Sequence, residues 1–142
     1  MPAPIKALIS QHRHCDETWA GVEAAVRDSR WEEAARGYAS FVTELLAHLD
    51  LEEHALFPAF EHATGITHGP TQVMRMEHDD MRDLLAQLKT AVAAKDARAT
   101  LSAGETLLIL IQQHNMKEEN VLYPMCERSI PDLAEKLGLT DS

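Results

Sequence analysis

His48-Leu-Asp-Leu-Glu52-Glu53 and, further along the chain, His114-Asn-Met-Lys-Glu118-Glu119 decide how this sequence folds. Four residues of α-helix advance by about 400°, so in each stretch the imidazole and the first carboxylate share one face, a turn apart. Outward from each pair runs an apolar seam. Phe41, Leu45, His48, Glu52 and Leu56 follow one another at steps of three and four in a helix predicted from Trp31 to Glu61. Leu107, Ile111, His114, Glu118, Val121 and Met125 do the same between Ala97 and Arg128. Steps of three and four are those of helices packed along one side.

Two further helices precede these. One spans Ile5 to Asp28 with the seam Leu8, His12, Cys15, Trp19, Val22 and Val26; the other spans Pro70 to Ala94 with Met74, His78, Met81, Leu85, Leu88 and Val92. A shift of 66 residues lays His12 on His78, His48 on His114, Glu52 on Glu118 and Glu53 on Glu119. The same shift lays Leu56 on Leu122, Pro58 on Pro124, Phe57 on Tyr123 and Trp19 on Leu85. Two αα-hairpins follow, and the fold class is all-α: an up-down-up-down four-helix bundle with an approximate internal two-fold repeat. Residues 1–142 read as one domain, with its core in 5–128 and a short tail in 129–142. One more helical piece is expected between Pro131 and Gly138, and Pro58 is expected to kink or end the second helix.

Composition removes several classes of function. With 13 Lys and Arg against 23 Asp and Glu, the formal charge is −10, which repels nucleic acid. The longest aliphatic run, Leu107 to Ile111, is far short of the ~20 residues of a membrane span. The N-terminus lacks the apolar core of a secretory signal, and two cysteines, Cys15 and Cys126, make no disulfide framework. A cytoplasmic protein is expected.

The eight histidines carry the chemistry. A lone histidine on an apolar face is an ordinary core residue, and a lone His-x-x-x-Glu pair is an ordinary solvated helix pair. Here both carboxylates lie on the seam, where an ionised, unpaired Glu costs on the order of several kcal/mol. Two such burials, each beside a histidine and each repeated, call for a cation. The candidate metal ligands are His12, His48, Glu52, His78, His114 and Glu118. His14 lies about 200° around the helix from His12 and faces out, and the repeat selects His12 because it aligns with His78. His54, His62 and His68 are read as surface residues. Asp16, one turn from His12, is a candidate support for it. Glu53 and Glu119 point about 100° away from the ligand carboxylates, toward solvent or a supporting contact.

Taken together, Gln11-His12, His48-x-x-x-Glu52-Glu53-x-x-Leu56-Phe57-Pro58, Glu77-His78 and His114-x-x-x-Glu118-Glu119-x-x-Leu122-Tyr123-Pro124 resemble the hemerythrin-like, HHE cation-binding family over about residues 5–128. The resemblance implies a four-helix bundle holding two non-haem iron ions with an oxo or hydroxo bridge. His12, His48, His78 and His114 would be terminal ligands and Glu52 and Glu118 bridging ones. Two features depart from the oxygen-carrying members. Met74 stands where they carry a further histidine, and His114 and Glu118 are one residue closer than their counterparts. Both features match the bacterial iron–sulfur-repair and stress-linked branch, which usually adds an N-terminal cysteine-pair segment; this chain begins at the first helix. A repair function is therefore not inherited automatically. An octahedral iron pair so held keeps about two positions open, and a soft thioether at Met74 is a poor ligand for ferric iron, so Met74 is expected to pack.

Three functions fit such a centre. The leading one is binding, sensing or reacting with dioxygen, nitric oxide or peroxide, or handling iron under stress. The second is a small di-iron redox enzyme of peroxidase or nitric oxide reductase type, and the third a structural metal-stabilised bundle. Six nitrogen and oxygen donors suit iron, with manganese or zinc as possible substitutes. One mutant pair tests the register of the first helix. His12→Ala should lower bound iron strongly and His14→Ala should leave it unchanged, measured as iron per chain after ferrous loading. The reverse order would shift that helix by two residues and remove the repeat.

Overall fold

Proline sets the path of the two long helices that carry the His-x-x-x-Glu pairs. The computed structural model describes residues 3–139 and is helical, with no strand among those residues. In chain order the elements are α1 (Ala3–Arg27), α2 (Trp31–Leu51), a π-helical turn π1 (Glu52–Leu56), α3 (Phe57–Thr64), α4 (Pro70–Ala93), α5 (Ala97–Lys117), a second π turn π2 (Glu118–Leu122), α6 (Tyr123–Ser129) and α7 (Leu133–Leu137). The outermost residues of the expected domain, 1–2 and 140–142, lie outside the described residues.

Pro58 was expected to kink or end its helix, yet helical backbone continues to Thr64. A proline ring collides with the carbonyl four residues back and offers no N–H. The chain meets this by widening the preceding turn. Phe57 N–H reaches Glu52 O, five residues back, and Tyr123 N–H likewise reaches Glu118 O ahead of Pro124. The extra residue rotates everything beyond it. Val121, expected on the seam, is 52% exposed, and Met125 is only partly buried. Leu122, Tyr123 and Cys126 take the core positions instead, as Leu56, Phe57 and Phe60 do in the first half. The seam fails there because a 3.6-residue period does not pass through a π turn.

α1 packs along α2 and α5, and α4 along α5 and α2. Both hairpins turn through a left-handed residue, Ser29 at φ 58° and Lys95 at φ 54°. Arg30 N–H returns to Ala25 O at 2.8 Å and Asp96 N–H to Ala91 O at 3.0 Å, closing each helix end. Asp96 then opens α5 by accepting from Ala99 N–H at 3.0 Å. The expected tail helix is α7, stopped at Gly138, where φ is 68°.

The core has two parts. One holds Trp19, Val22, Phe41, Leu45, Met81, Leu85, Leu107 and Ile111. The other holds Leu8, Leu56, Phe57, Phe60, Met74, Leu122, Tyr123 and Cys126. Along each of the four long helical stretches the polar seam residues fall between the two parts: His12 between Leu8 and Cys15, Glu52 between Leu49 and Leu56, His78 between Met74 and Met81, Glu118 between Ile111 and Leu122. Met74 packs, as expected.

Side-chain volume is exchanged between the halves of the first cluster. Trp19 lies over Gly104, where an added Cβ would come within 2.1 Å of the indole. At the positions that the 66-residue shift pairs with these, Tyr38 donates its hydroxyl to Leu85 O at 2.6 Å. On one side the larger side chain stands on α1, against glycine on α5; on the other the larger stands on α2, against Leu85 on α4. Gly104→Ala is therefore predicted to cost about 1–3 kcal/mol and lower the thermal midpoint. Measured in a Trp19→Leu background, the same substitution should cost less than half as much; equal costs would mean that the two positions do not press on each other.

Candidate metal centre

Between the two apolar clusters, α1, α2, π1, α4, α5 and π2 deliver their polar seam residues to one point. His12 and His48 are 5% exposed, His114 1%, and Glu52, His78 and Glu118 are fully buried. All six residues singled out by the seam and the repeat are thus brought together. His14 is exposed and paired with Glu44 at 3.2 Å, and His54, His62 and His68 are exposed, as expected.

The imidazoles meet in pairs. His12 Nε2 lies 3.0 Å from His48 Nε2, and His78 Nε2 lies 3.2 Å from His114 Nε2. Each carboxylate spans both pairs. Glu52 puts Oε2 3.5 Å from His48 Nε2 and Oε1 3.1 Å from His78 Nε2. Glu118 puts Oε1 3.1 Å from His12 Nε2 and Oε2 3.3 Å from His114 Nε2. Two overlapping donor sets result, His12–His48–Glu52–Glu118 and Glu52–His78–His114–Glu118, with the donor atoms of each within 4.8 Å of one another.

The outer nitrogen of every imidazole is already committed. Nδ1 of His12 donates to Glu119 Oε2 at 2.8 Å, that of His48 to Gln11 Oε1 at 2.6 Å, that of His78 to Glu53 Oε2 at 2.6 Å and that of His114 to Glu77 Oε1 at 2.8 Å. Glu53 is held in turn by Arg82 at 2.9 Å, and Glu77 by Lys117. Burial works against the charge on Glu53 and Glu77, but these cations and the imidazoles overcome it and lower both carboxyls. Glu119, rather than Asp16, supports His12: the expected helper lies on the histidine's own helix, and the actual one comes from π2. Gln11 and Glu77 were not singled out as supports, although each directly precedes a seam histidine and the 66-residue shift pairs them. Tyr123 was also missed. Its phenol donates to Glu52 Oε2 at 2.6 Å, and the only sequence signal was a hydroxyl where the first half has Phe57.

This arrangement has a definite chemical demand. An imidazole whose Nδ1 carries the hydrogen presents a bare lone pair at Nε2. Two such lone pairs at about 3 Å repel unless a positive centre lies between them. Two buried carboxylates face the same point, and Glu52 Oε1 and Glu118 Oε2 have no hydrogen-bond partner among the described residues. Protons are one source of positive charge. Burial pushes His12 and His114 down, but Glu118 with the other carboxylates outweighs it, and His114 is raised to about 10. Burial also opposes the charge on Glu52, yet His48 and the hydrogen bonds around it keep the carboxyl well below the usual range. Metal cations meet the demand more fully: imidazole nitrogen and carboxylate oxygen are donors for iron, manganese and zinc. The donors present therefore fit a pair of divalent cations.

Space for a further ligand is small. A cavity of about 10 Å³ abuts His12, His48 and His114 and is otherwise walled by Cys15, Leu45, Leu49, Met81, Ile111 and Asn115. That is room for about one water-sized molecule in mostly apolar surroundings. Burial raises the Cys15 thiol to about 12, so this wall stays neutral.

Comparison with known proteins agrees with this chemistry. Iron-sulfur cluster repair protein YtfE of Enterobacter sp. (strain 638) is 33% identical over 102 residues, 63% of this chain and 46% of the relative. The protein of the same name from Citrobacter koseri is 30% identical over 102 residues, again 63% and 46%, and that from Edwardsiella ictaluri 31% over 99 residues, 63% and 45%. The matching region is thus less than half the length of those relatives. No solved structure matches. Residues 3–126 match the family described as the hemerythrin HHE cation binding domain, which takes in every donor and every support named above, and to that family this chain belongs.

Proposed function

We propose that the chain is one domain, an up-down-up-down four-helix bundle with an approximate two-fold repeat, built to hold two iron ions. His12, His48, His78 and His114 serve as terminal ligands, and Glu52 and Glu118 bridge. The observation that carries this reading is the pair of facing Nε2 atoms at 3.0 and 3.2 Å, each with its outer nitrogen already engaged. The spread of each carboxylate across both pairs supports the bridging role. Bound iron would supply open coordination positions and one-electron redox chemistry for dioxygen, nitric oxide or peroxide. The chain's own part is to hold four imidazoles aimed through their engaged outer nitrogens, to exclude bulk water, and to leave a cavity suited to a small uncharged molecule. The name shared by the relatives, iron-sulfur cluster repair protein, supports an iron-handling role for this chain. Two free, buried cysteines suit the cytoplasm, where we place it. Among the described residues no helix is long and apolar enough to cross a membrane.

Ferrous loading of chelator-treated protein should give about two iron ions per chain by elemental analysis, and Glu52→Ala with Glu118→Ala should abolish binding. No more than trace iron in the loaded wild type would defeat the reading.

Acidity should separate the two forms. Without metal, the contribution of protonated His114 is complete below its ordinary value of 6.5 and is lost as pH rises through about 10. That of ionised Glu52 is present above its ordinary 4.5 and is lost as pH falls through its lowered value. The metal-free protein should therefore melt highest between about pH 4.5 and 6.5 and progressively lower toward pH 10. The iron-loaded protein should do the opposite on acidification from neutrality, because the imidazoles must be neutral to bind. Calorimetric melts of both forms across that range give the check; parallel curves would contradict it.

A further inference from the structure

Phe57 and Tyr123 occupy equivalent places five residues beyond Glu52 and Glu118 and are both fully buried. Phe57 stacks on His78 with centroids 5.5 Å apart and planes at 29°; Tyr123 stacks on His12 at 5.6 Å and 20°. The difference is one oxygen atom. Tyr123 Oη lies 2.6 Å from Glu52 Oε2, 3.0 Å from Glu118 Oε1, 3.1 Å from His12 Nε2 and 3.5 Å from His48 Nε2. It touches every member of the His12–His48–Glu52–Glu118 set. A cation at the ~2.0–2.2 Å of a nitrogen or oxygen ligand enters the space that this hydroxyl shares with those donors. The aromatic neighbour of His78 in the other set is Phe57, which carries no such group.

A second difference points the same way. The His78–His114 pair is backed by two carboxylates, Glu53 and Glu77. The His12–His48 pair is backed by Glu119 and by the uncharged amide of Gln11. An anionic partner at Nδ1 raises the basicity of a ligating imidazole more than a neutral one does. Repulsion between two cations weakens whichever arrives second, but it does not choose which position fills first. Tyr123 and Gln11 do.

Resting on the two-cation reading of the six donors, we propose that Tyr123, reinforced by Gln11, makes the two positions unequal. The first cation takes the His78–His114 position, and the His12–His48 position fills only when the phenol hydroxyl gives up its place among the four donors. Tyr123 is in this sense a positioning residue that sets the order of loading.

The test uses the whole chain, stripped with a chelator and titrated anaerobically with ferrous iron in a calorimeter, with tyrosine absorbance followed in parallel. Two binding classes about tenfold or more apart are expected, with the absorbance moving only at the second equivalent. His12→Ala should keep the tight class and His78→Ala should lose it. Tyr123→Phe should tighten the weak class by about tenfold, the scale of hydrogen bonds to charged groups, and Gln11→Glu should tighten it further. Combining Tyr123→Phe with Phe57→Tyr moves the hydroxyl to the opposite set and should reduce or reverse the preference. Equal wild-type affinities, an absorbance change at the first equivalent, or a weak class indifferent to Tyr123→Phe would each overturn the order of loading while leaving the two-cation centre intact. No binding by the wild type at all would overturn both.

Discussion

Two carboxylates sit with no exposure at the middle of a small helical protein, ringed by imidazoles whose outer nitrogens are already spoken for. Isolated buried charges of that kind are costly, and removing one partner of a buried pair typically costs about 3–5 kcal/mol. The rest of the structure follows from meeting this demand. Four long helical stretches are needed because the donors must approach from all sides. Two apolar clusters, one on each side, are needed because the polar layer between them contributes no hydrophobic burial of its own. The supports at Nδ1 are needed because an imidazole free to rotate would present either nitrogen. Arg82 and Lys117, beyond Glu53 and Glu77, return positive charge to a region otherwise crowded with carboxylates.

The π turns belong to the same demand. Each begins at a central buried carboxylate and ends one residue before the buried aromatic ring, so Glu52 and Phe57, and Glu118 and Tyr123, are related by five residues rather than four. In a regular helix five residues turn about 500°, which would leave a ring some 140° from its carboxylate. The wider turn closes that angle, and both side chains reach the centre. Pro58 and Pro124 make the widening locally favourable, since the proline has no hydrogen to give to the tighter ladder. Thus a backbone irregularity with a local chemical cause places a ring against His78 and a phenol against His12.

Much of this was legible in the sequence, and the part that was not has a common cause. Seam periodicity found the helices within a few residues, and the repeat found all six inward donors, because both signals come from helical geometry that is uniform as far as Glu52 and Glu118. Beyond those residues the uniform period gave Val121 and Met125 where the structure buries Leu122 and Cys126. Contacts made across helices were harder to read. Asp16 was the natural support for His12 on one helix surface, yet the bond comes from Glu119, 107 positions away in sequence. Gln11 and Glu77 reach histidines on other helices for the same reason. Sequence spacing reports which side of a helix a residue occupies; it does not report which neighbouring helix that side meets.

The places where the two halves differ are therefore the most informative part of the molecule. Trp19 against Gly104 and Tyr38 beside Leu85 exchange bulk across the core, a difference that alters packing and leaves the donors alone. Phe57 against Tyr123, and Glu77 against Gln11, lie instead in direct contact with the imidazoles. A perfectly repeated centre would offer two identical cation positions and no reason for one to differ in affinity, ligand access or redox chemistry. One added hydroxyl and one neutralised carboxylate break that equivalence, and they do so on the same pair, His12 and His48. In the ring of donors itself the halves agree residue for residue, so the differences lie in the groups that touch the donors, where a substitution can tune a metal position without dismantling it.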